Sequence, residues 1–445
     1  MNNRKPKIVR SNEIYTRAEK IIPAGTQTFS KGTTQFVDGF APKYLEKGKG
    51  AYVWDVDGNK YLDYIMGCHP IILGYADPDV NAAVIHQLEK GSTFSLMNEL
   101  EVSVTEMLID AIPCAEMARF GKNGADATTV GVRVARAVTG RDHIAYCGYH
   151  GWHDWYIANT DLNSGVPDFN KQLAHSFIYN DLDSLEAIFK EHLDQVAIVI
   201  MEPLTILEPE KNFLHEVKKM THHYGALLMF DEIITGFRFA FGGAQELVGV
   251  TPDLASFAKA ISNAIPLSAI VGKKEYMQVL DKTFFSFTYG GDCIGLAAAE
   301  ACIPKIKKEK VPEHLARIGE LLKTGINELA KTHGLDEYVE CLGYPCRTIL
   351  SFTGNGYFDE LEMKSFFQQE LIRRGILWAA YHALSWSHSE SDINRTLHAF
   401  DETMLLFKKI INKKQSLRSM IEGEPVKPVF RKVADFNSYT AKIKP

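Results

Sequence analysis

The chain has no apolar run long enough to cross a membrane, no Cys-x-x-Cys pair, no Gly-x-x-x-x-Gly-Lys-Ser/Thr loop and no low-complexity linker. Each absence removes a class of function. A spanning helix needs about 20 consecutive apolar residues. The cysteines, seven in number (Cys68, Cys114, Cys147, Cys293, Cys302, Cys341 and Cys346), are scattered and odd, as reduced thiols are, and not as in a disulfide framework or a zinc ribbon. Without a Walker loop, the acidic strand end Asp231-Glu232 lacks the phosphate cradle of an NTPase. Positive charge is not in excess either: 49 Lys and Arg against 55 Asp and Glu leave a net charge of −6, which gives no general attraction to nucleic acid. The opening Met-Asn-Asn-Arg-Lys-Pro-Lys is followed by no apolar segment, so a cytoplasmic location is expected.

What is present is a chain of 445 residues, 46% hydrophobic and 23% charged, long enough for two or three domains. A hairpin is expected from Ala51–Gly58 and Lys60–Tyr64, with Asp57-Gly58 as the turn. Short apolar strands then alternate with helical patterns: Met117–Gly121, Ile144–Cys147, Val196–Met201, Ala226–Phe230, Leu254–Ala258 and Leu267–Val271. That alternation predicts an α/β fold with a mostly parallel sheet wrapped by helices and ligands at the strand carboxyl ends. The last third, with a strand at Cys346–Phe352 and helices over Leu361–Gly375 and Ser391–Lys409, reads as a smaller α+β domain. The basic tail from Lys413 reads as an extended or loose arm.

Two strand ends carry the chemistry. Leu227–Phe230 delivers Asp231, and Leu254–Ala258 delivers Lys259. A carboxylate and an amine so placed suit a lysine that forms a Schiff base with pyridoxal phosphate and an aspartate that keeps the pyridine nitrogen protonated. Taken singly, each has an ordinary reading, a turn-forming aspartate and a solvated lysine. Upstream, the strand ending at Gly121 breaks at Gly121 and Gly124 before a helix with Ala127, Val130, Val134 and Val138 at helical spacing and Gly140 as its stop, which directs free N–H groups at a phosphate. Tyr149 follows a strand and suits stacking on a flat ring. His150 and His153 lack the further ligands a metal site requires, so no metal is expected.

With these residues in place, the chain resembles the class III pyridoxal-phosphate aminotransferases of fold type I, and most of all their glutamate-1-semialdehyde aminomutase branch. The resemblance runs from about Ile21 to Arg431 and rests on Asp231-Glu-Ile-Ile-Thr-Gly-Phe-Arg238, Ala258-Lys259-Ala260, Asn123-Gly124-Ala125, Tyr149-His150-Gly151 and Thr288-Tyr289-Gly290. It implies pyridoxal 5′-phosphate as cofactor, Lys259 and Asp231 as catalytic residues, and Asn123, Gly124, Ala125, Tyr149, Glu202, Ile233 and Thr288 around the cofactor. Thr288 would reach the phosphate of a partner subunit in a homodimer with shared sites. The implied organisation is residues 1–65 as an N-terminal segment joining the small domain, 66–310 as the large cofactor domain and 311–445 as the C-terminal domain. Departures from the branch stand at Lys31, where it has arginine, at Cys68, where it has tryptophan, and in Ile261-Ser-Asn-Ala-Ile-Pro266 after the lysine. A lysine grips a carboxylate less rigidly than arginine. The expectation is therefore a two-substrate transaminase, with glutamate as donor, an aldehyde or ketone, sugar-derived, as acceptor, and Lys31, Cys68 and His150 at the substrate. An aminomutase is the alternative, and a non-catalytic dimer of the same fold is the third reading.

Overall fold

The computed structural model describes residues 5–355 and 357–428. Two compact units divide the chain, parting between Asp77 and Pro78 and between Pro312 and Glu313.

The second unit carries a seven-stranded sheet built from β1 (Met117–Gly121), β2 (His143–Cys147), β3 (Ala174–Ser176), β4 (Val196–Met201), β5 (Leu227–Asp231), β6 (Leu254–Phe257) and β7 (Ser268–Gly272), in the order β1-β7-β6-β5-β4-β2-β3. The run β3, β2, β4, β5, β6 is parallel, and β7 is antiparallel to both its neighbours. The helices of this unit include α1 (Pro78–Lys90), α2 (Glu99–Ala111), α3 (Gly124–Thr139), α4 (Leu182–Glu191), α5 (Phe213–His223) and α6 (Cys293–Lys308). Side chains alternate across the sheet as a strand repeat of two demands. Ile198, Ile200 and Met229 face one core with Val130 and Val134 of α3, while Val199, Met201, Leu228 and Phe230 face the other with Leu185 of α4 and Val217 of α5. Burial on both faces explains why these strands read as continuous apolar runs. Helix α3 ends at Gly140 with φ +70°, as its stop signal predicts. Its sequence-expected apolar face needs one correction: Val138 is exposed, and the buried stripe runs through Ala127, Val130, Gly131, Val134 and Ala135.

In the first unit, Tyr52–Asp55 and Lys60–Asp63 form the expected antiparallel pair, with Gly58 at φ +85° in the turn. Strand Ile376–Leu377 adds to Lys60–Asp63 in parallel, and Val339–Tyr344, Arg347–Phe352 and Tyr381–Ala383 make a separate sheet. The stretch 66–77, read from the sequence as the start of the large domain, folds here: Met66 and Ile71 pack with Ala383, and Ser387 Oγ donates to the Leu73 carbonyl at 2.6 Å. Residues 429–445 of the expected C-terminal arm lie outside the described residues. Among the described residues no helix is long and apolar enough to cross a membrane.

Candidate active site

The carboxyl ends of the parallel strands in the second unit gather most of the residues singled out in the sequence. Asp231 closes β5 and is buried. Its Oδ2 lies 2.8 Å from His150 Nδ1, while its Oδ1 accepts from the Ile233 amide at 3.1 Å and from Ser256 Oγ at 3.3 Å. The next residue, Glu232, projects to the opposite side, as strand alternation requires. There it is buried, accepts from the Ala244 and Gln245 amides and from Thr235 Oγ1, and its pKa is raised by burial. The two neighbouring acids therefore serve different segments: Asp231 meets His150 and Ser256, and Glu232 holds the loop that follows.

Lys259 follows β6, three residues beyond Ser256, which pairs with Asp231 in the sheet. It opens a short 3₁₀ turn, Lys259–Ser262, is half-buried and has φ +47°. A side chain held in the left-handed region costs on the order of 1–3 kcal/mol and persists where the surroundings impose it, which is most common at functional sites.

The turn at Asn123-Gly124-Ala125 begins α3, and Asp126 fastens it by accepting from the Lys122 and Asn123 amides at 2.9 and 2.7 Å. Two glycines explain how this turn meets the rest of the cluster. A Cβ on Gly124 would come within 2.6 Å of Ile233 Cδ1, and one on Gly151, at φ +110°, within 2.7 Å of Ala125 Cβ. The bare backbones thus let the Tyr149–Gly151 loop, Ile233 and the helix start close around one cradle, with the first amides of α3 and its positive dipole end pointing the way an anion requires. Tyr149 is half-buried and its amide donates to Glu202 Oε1 at 3.0 Å. Thr128 Oγ1 donates to the His150 carbonyl at 2.8 Å. A flat, phosphorylated, nitrogen-containing ring fits these groups: an anion seat at the helix start and the buried Asp231 carboxylate for a ring nitrogen.

Three sequence-selected residues are placed differently. His150 is buried with both ring nitrogens engaged, Nδ1 to Asp231 and Nε2 to the Cys147 carbonyl at 3.1 Å, so it meets Asp231 and not open space. His153 lies 2.7 Å from Thr129 Oγ1. Thr288 sits exposed in the loop leading to α6. In the first unit, Lys31 is exposed and lines a groove with Tyr15, Thr33 and Lys43. Cys68 belongs to a run of left-handed residues, Met66, Gly67, Cys68 and His69, beneath which Asp63 accepts from the Ile65 amide at 2.7 Å and from the Tyr75 hydroxyl at 2.6 Å. His69 stacks on Tyr381 with centroids 4.8 Å apart.

Sequence reasoning missed Ser256 and Thr128, whose small hydroxyls carry no pattern of their own. It also missed Gly148, where a Cβ would approach Glu202 Oε1 to 2.9 Å; its place directly after an apolar strand was the available signal.

Residues 38–345 match the family model for aminotransferase class-III. A 3-aminobutyryl-CoA aminotransferase of Cloacimonas acidaminovorans (strain Evry) is 36% identical over 92% of this chain and 99% of its own. Among solved structures, an omega-transaminase from Sphaerobacter thermophilus is 26% identical with a TM-score of 0.82, covering 90% of this chain and 98% of that one. The FumI protein of Sphingopyxis sp. MTA144, in its PLP internal aldimine form, is 26% identical with a TM-score of 0.85, covering 92% and 99%. A glutamate-1-semialdehyde aminomutase from Pseudomonas aeruginosa PAO1, at 21% identity, TM-score 0.80 and 90% and 95% coverage, shares the fold alone. The aminomutase branch expected from the motifs is therefore not the one these likenesses single out. The chain belongs to the class-III aminotransferases.

Proposed function

We propose that this chain is a pyridoxal-phosphate-dependent transaminase acting on two substrates in turn, the single carrying observation being Asp231 and Lys259 on the ends of adjacent strands beside a helix-start anion cradle. When bound, the cofactor supplies an electron sink for the carbanion formed at the substrate carbon. The protein supplies the rest. Asp231 holds a proton on the ring nitrogen by charge, with His150 and Ser256 fixing the carboxylate. Lys259 would hold the cofactor and would move the proton at the substrate Cα. Asn123, Gly124 and Ala125 would hold the phosphate, Tyr149 and Ile233 would hold the ring, and Glu202 holds the Tyr149 backbone. Thr288 serves the partner subunit's phosphate in a homodimer.

Glutamate is the donor we assign first. For the other substrate, the 36% identical relative supports a 3-aminoacyl thioester and its 3-oxo counterpart over the sugar-derived carbonyl suggested by the sequence. The test is to load the holoenzyme with glutamate, measure the 2-oxoglutarate released per chain, and then offer a 3-oxoacyl thioester, a keto-sugar nucleotide or glutamate 1-semialdehyde. Turnover with the thioester supports the proposal. Turnover with the keto-sugar alone replaces the acceptor, and conversion of glutamate 1-semialdehyde without a second substrate replaces the reaction by an aminomutation.

A further inference from the structure

At the edge of the large sheet three histidines from three elements meet. His143 opens β2, His175 is the middle residue of β3, and His192 follows α4 as its C-cap. His143 Nδ1 and His175 Nε2 are 2.8 Å apart in rings tilted by only 7°, an edge-to-edge hydrogen-bonded pair. The His192 ring lies over both, with centroids 4.4 and 4.0 Å away. All three are half-buried, and one nitrogen from each lies within 4.8 Å of the others. The candidate active site grows from the opposite, carboxyl end of β2, past Cys147.

We propose that His143, His175 and His192 bind one zinc ion, with a water molecule as the fourth ligand. Imidazole nitrogen is a preferred donor to zinc, and three of them with one open position make a recognised tetrahedral set. Zn–N bonds of about 2.0–2.1 Å put neighbouring ligand nitrogens about 3.3 Å apart, so the hydrogen-bonded pair opens, the most distant pair closes, and the His192 ring turns out of its stacked orientation to bring its nitrogen to the ion. One of the two facing nitrogens of His143 and His175 carries the hydrogen of their bond, so zinc binding moves this proton off the facing nitrogen, which a change of tautomer allows. Glu191, whose Oε1 is 3.9 Å from His192 Nε2, and Asp142 beside His143 favour a cation, while Arg136 opposes it. Bound metal would tie β2, β3 and the end of α4 together. Spacings of 32 and 17 residues fit no short metal motif, so nothing in the sequence singled these three out.

The experiment is a zinc chloride titration of chelator-treated holoenzyme, with calorimetric stoichiometry, thermal midpoint and X-ray absorption at the zinc edge. One ion per chain, a raised midpoint and a shell of three imidazoles and one oxygen are expected. His175→Gln and His192→Gln should each weaken binding by roughly tenfold or more without altering transamination. No saturable binding, sulfur in the metal shell, or binding unchanged in both variants would overturn the site; the wild-type absorption spectrum decides even where a variant fails to fold.

Discussion

His150 joins Asp231 to the strand before it: Nδ1 stands 2.8 Å from the buried Asp231 Oδ2, and Nε2 3.1 Å from the Cys147 carbonyl. Carboxylate and carbonyl are both acceptors, so both ring nitrogens are held and the ring is fixed against the carboxylate assigned to the ring nitrogen. His150 therefore has a positioning role in the proposal, in place of the substrate contact read from the sequence.

Asp231→Asn keeps the shape and the hydrogen bond from the Ile233 amide but removes the charge. Cofactor content should stay near one per chain while kcat falls on the order of 10²–10³-fold. His150→Gln should lower kcat less and shift the pH profile of the half-reaction, a change that a merely structural loss would not produce. Near-normal turnover in Asp231→Asn would remove the aspartate from the mechanism.

Gly151→Ala tests the cradle. The added Cβ meets Ala125 Cβ at 2.7 Å, in a backbone conformation of φ +110°. A cost of about 1–3 kcal/mol is expected, read as a lower unfolding midpoint and faster cofactor loss, whereas Gly140→Ala, with nothing within 4 Å of the new atom, should retain cofactor normally.

Much of this was legible in the sequence because strands buried on both faces must be apolar throughout, so the runs ending at Met201, Phe230 and Ala258 announced themselves and placed Asp231 and Lys259 at their ends. Gly140 marked a helix stop by its conformation. Contacts that depend on close backbone approach were not legible. Gly124 against Ile233 and Gly151 against Ala125 join segments far apart in the chain, and the orientation of His150 toward Asp231 follows from β5 lying two strands from β2. The histidine trio was hidden for the same reason.

Acid should weaken the first unit. Burial holds His382 down at about 3 and His388 at about 4 against an ordinary 6.5, so both fold neutral. Below pH 6.5 the unfolded chain takes up protons that the folded one does not; their contribution is complete above that pH and is lost as pH falls toward 4 and 3. Asp63, raised by burial to about 6 from 3.8, acts oppositely: its contribution is complete below 3.8 and is lost as pH rises through 6. Two groups against one leave a net loss of stability on going from pH 6.5 to 4. His382→Asn should flatten that slope in denaturant titrations, and an unchanged slope would place the acid sensitivity elsewhere.

Shared active sites in a homodimer can be tested by complementation. Thr288→Tyr, placed in the exposed loop, and Lys259→Ala should each be inactive alone. Mixed dimers should recover activity in one site of two, and an active monomer by sedimentation would contradict the shared arrangement.

In the proposed function Lys259 carries the cofactor. Borohydride reduction of the purified holoenzyme, proteolysis and mass spectrometry of the peptides measure it directly. A pyridoxyl group on the peptide containing Lys259, absent from Lys259→Ala, is the predicted result; the same group on any other lysine, or on none, would contradict the account.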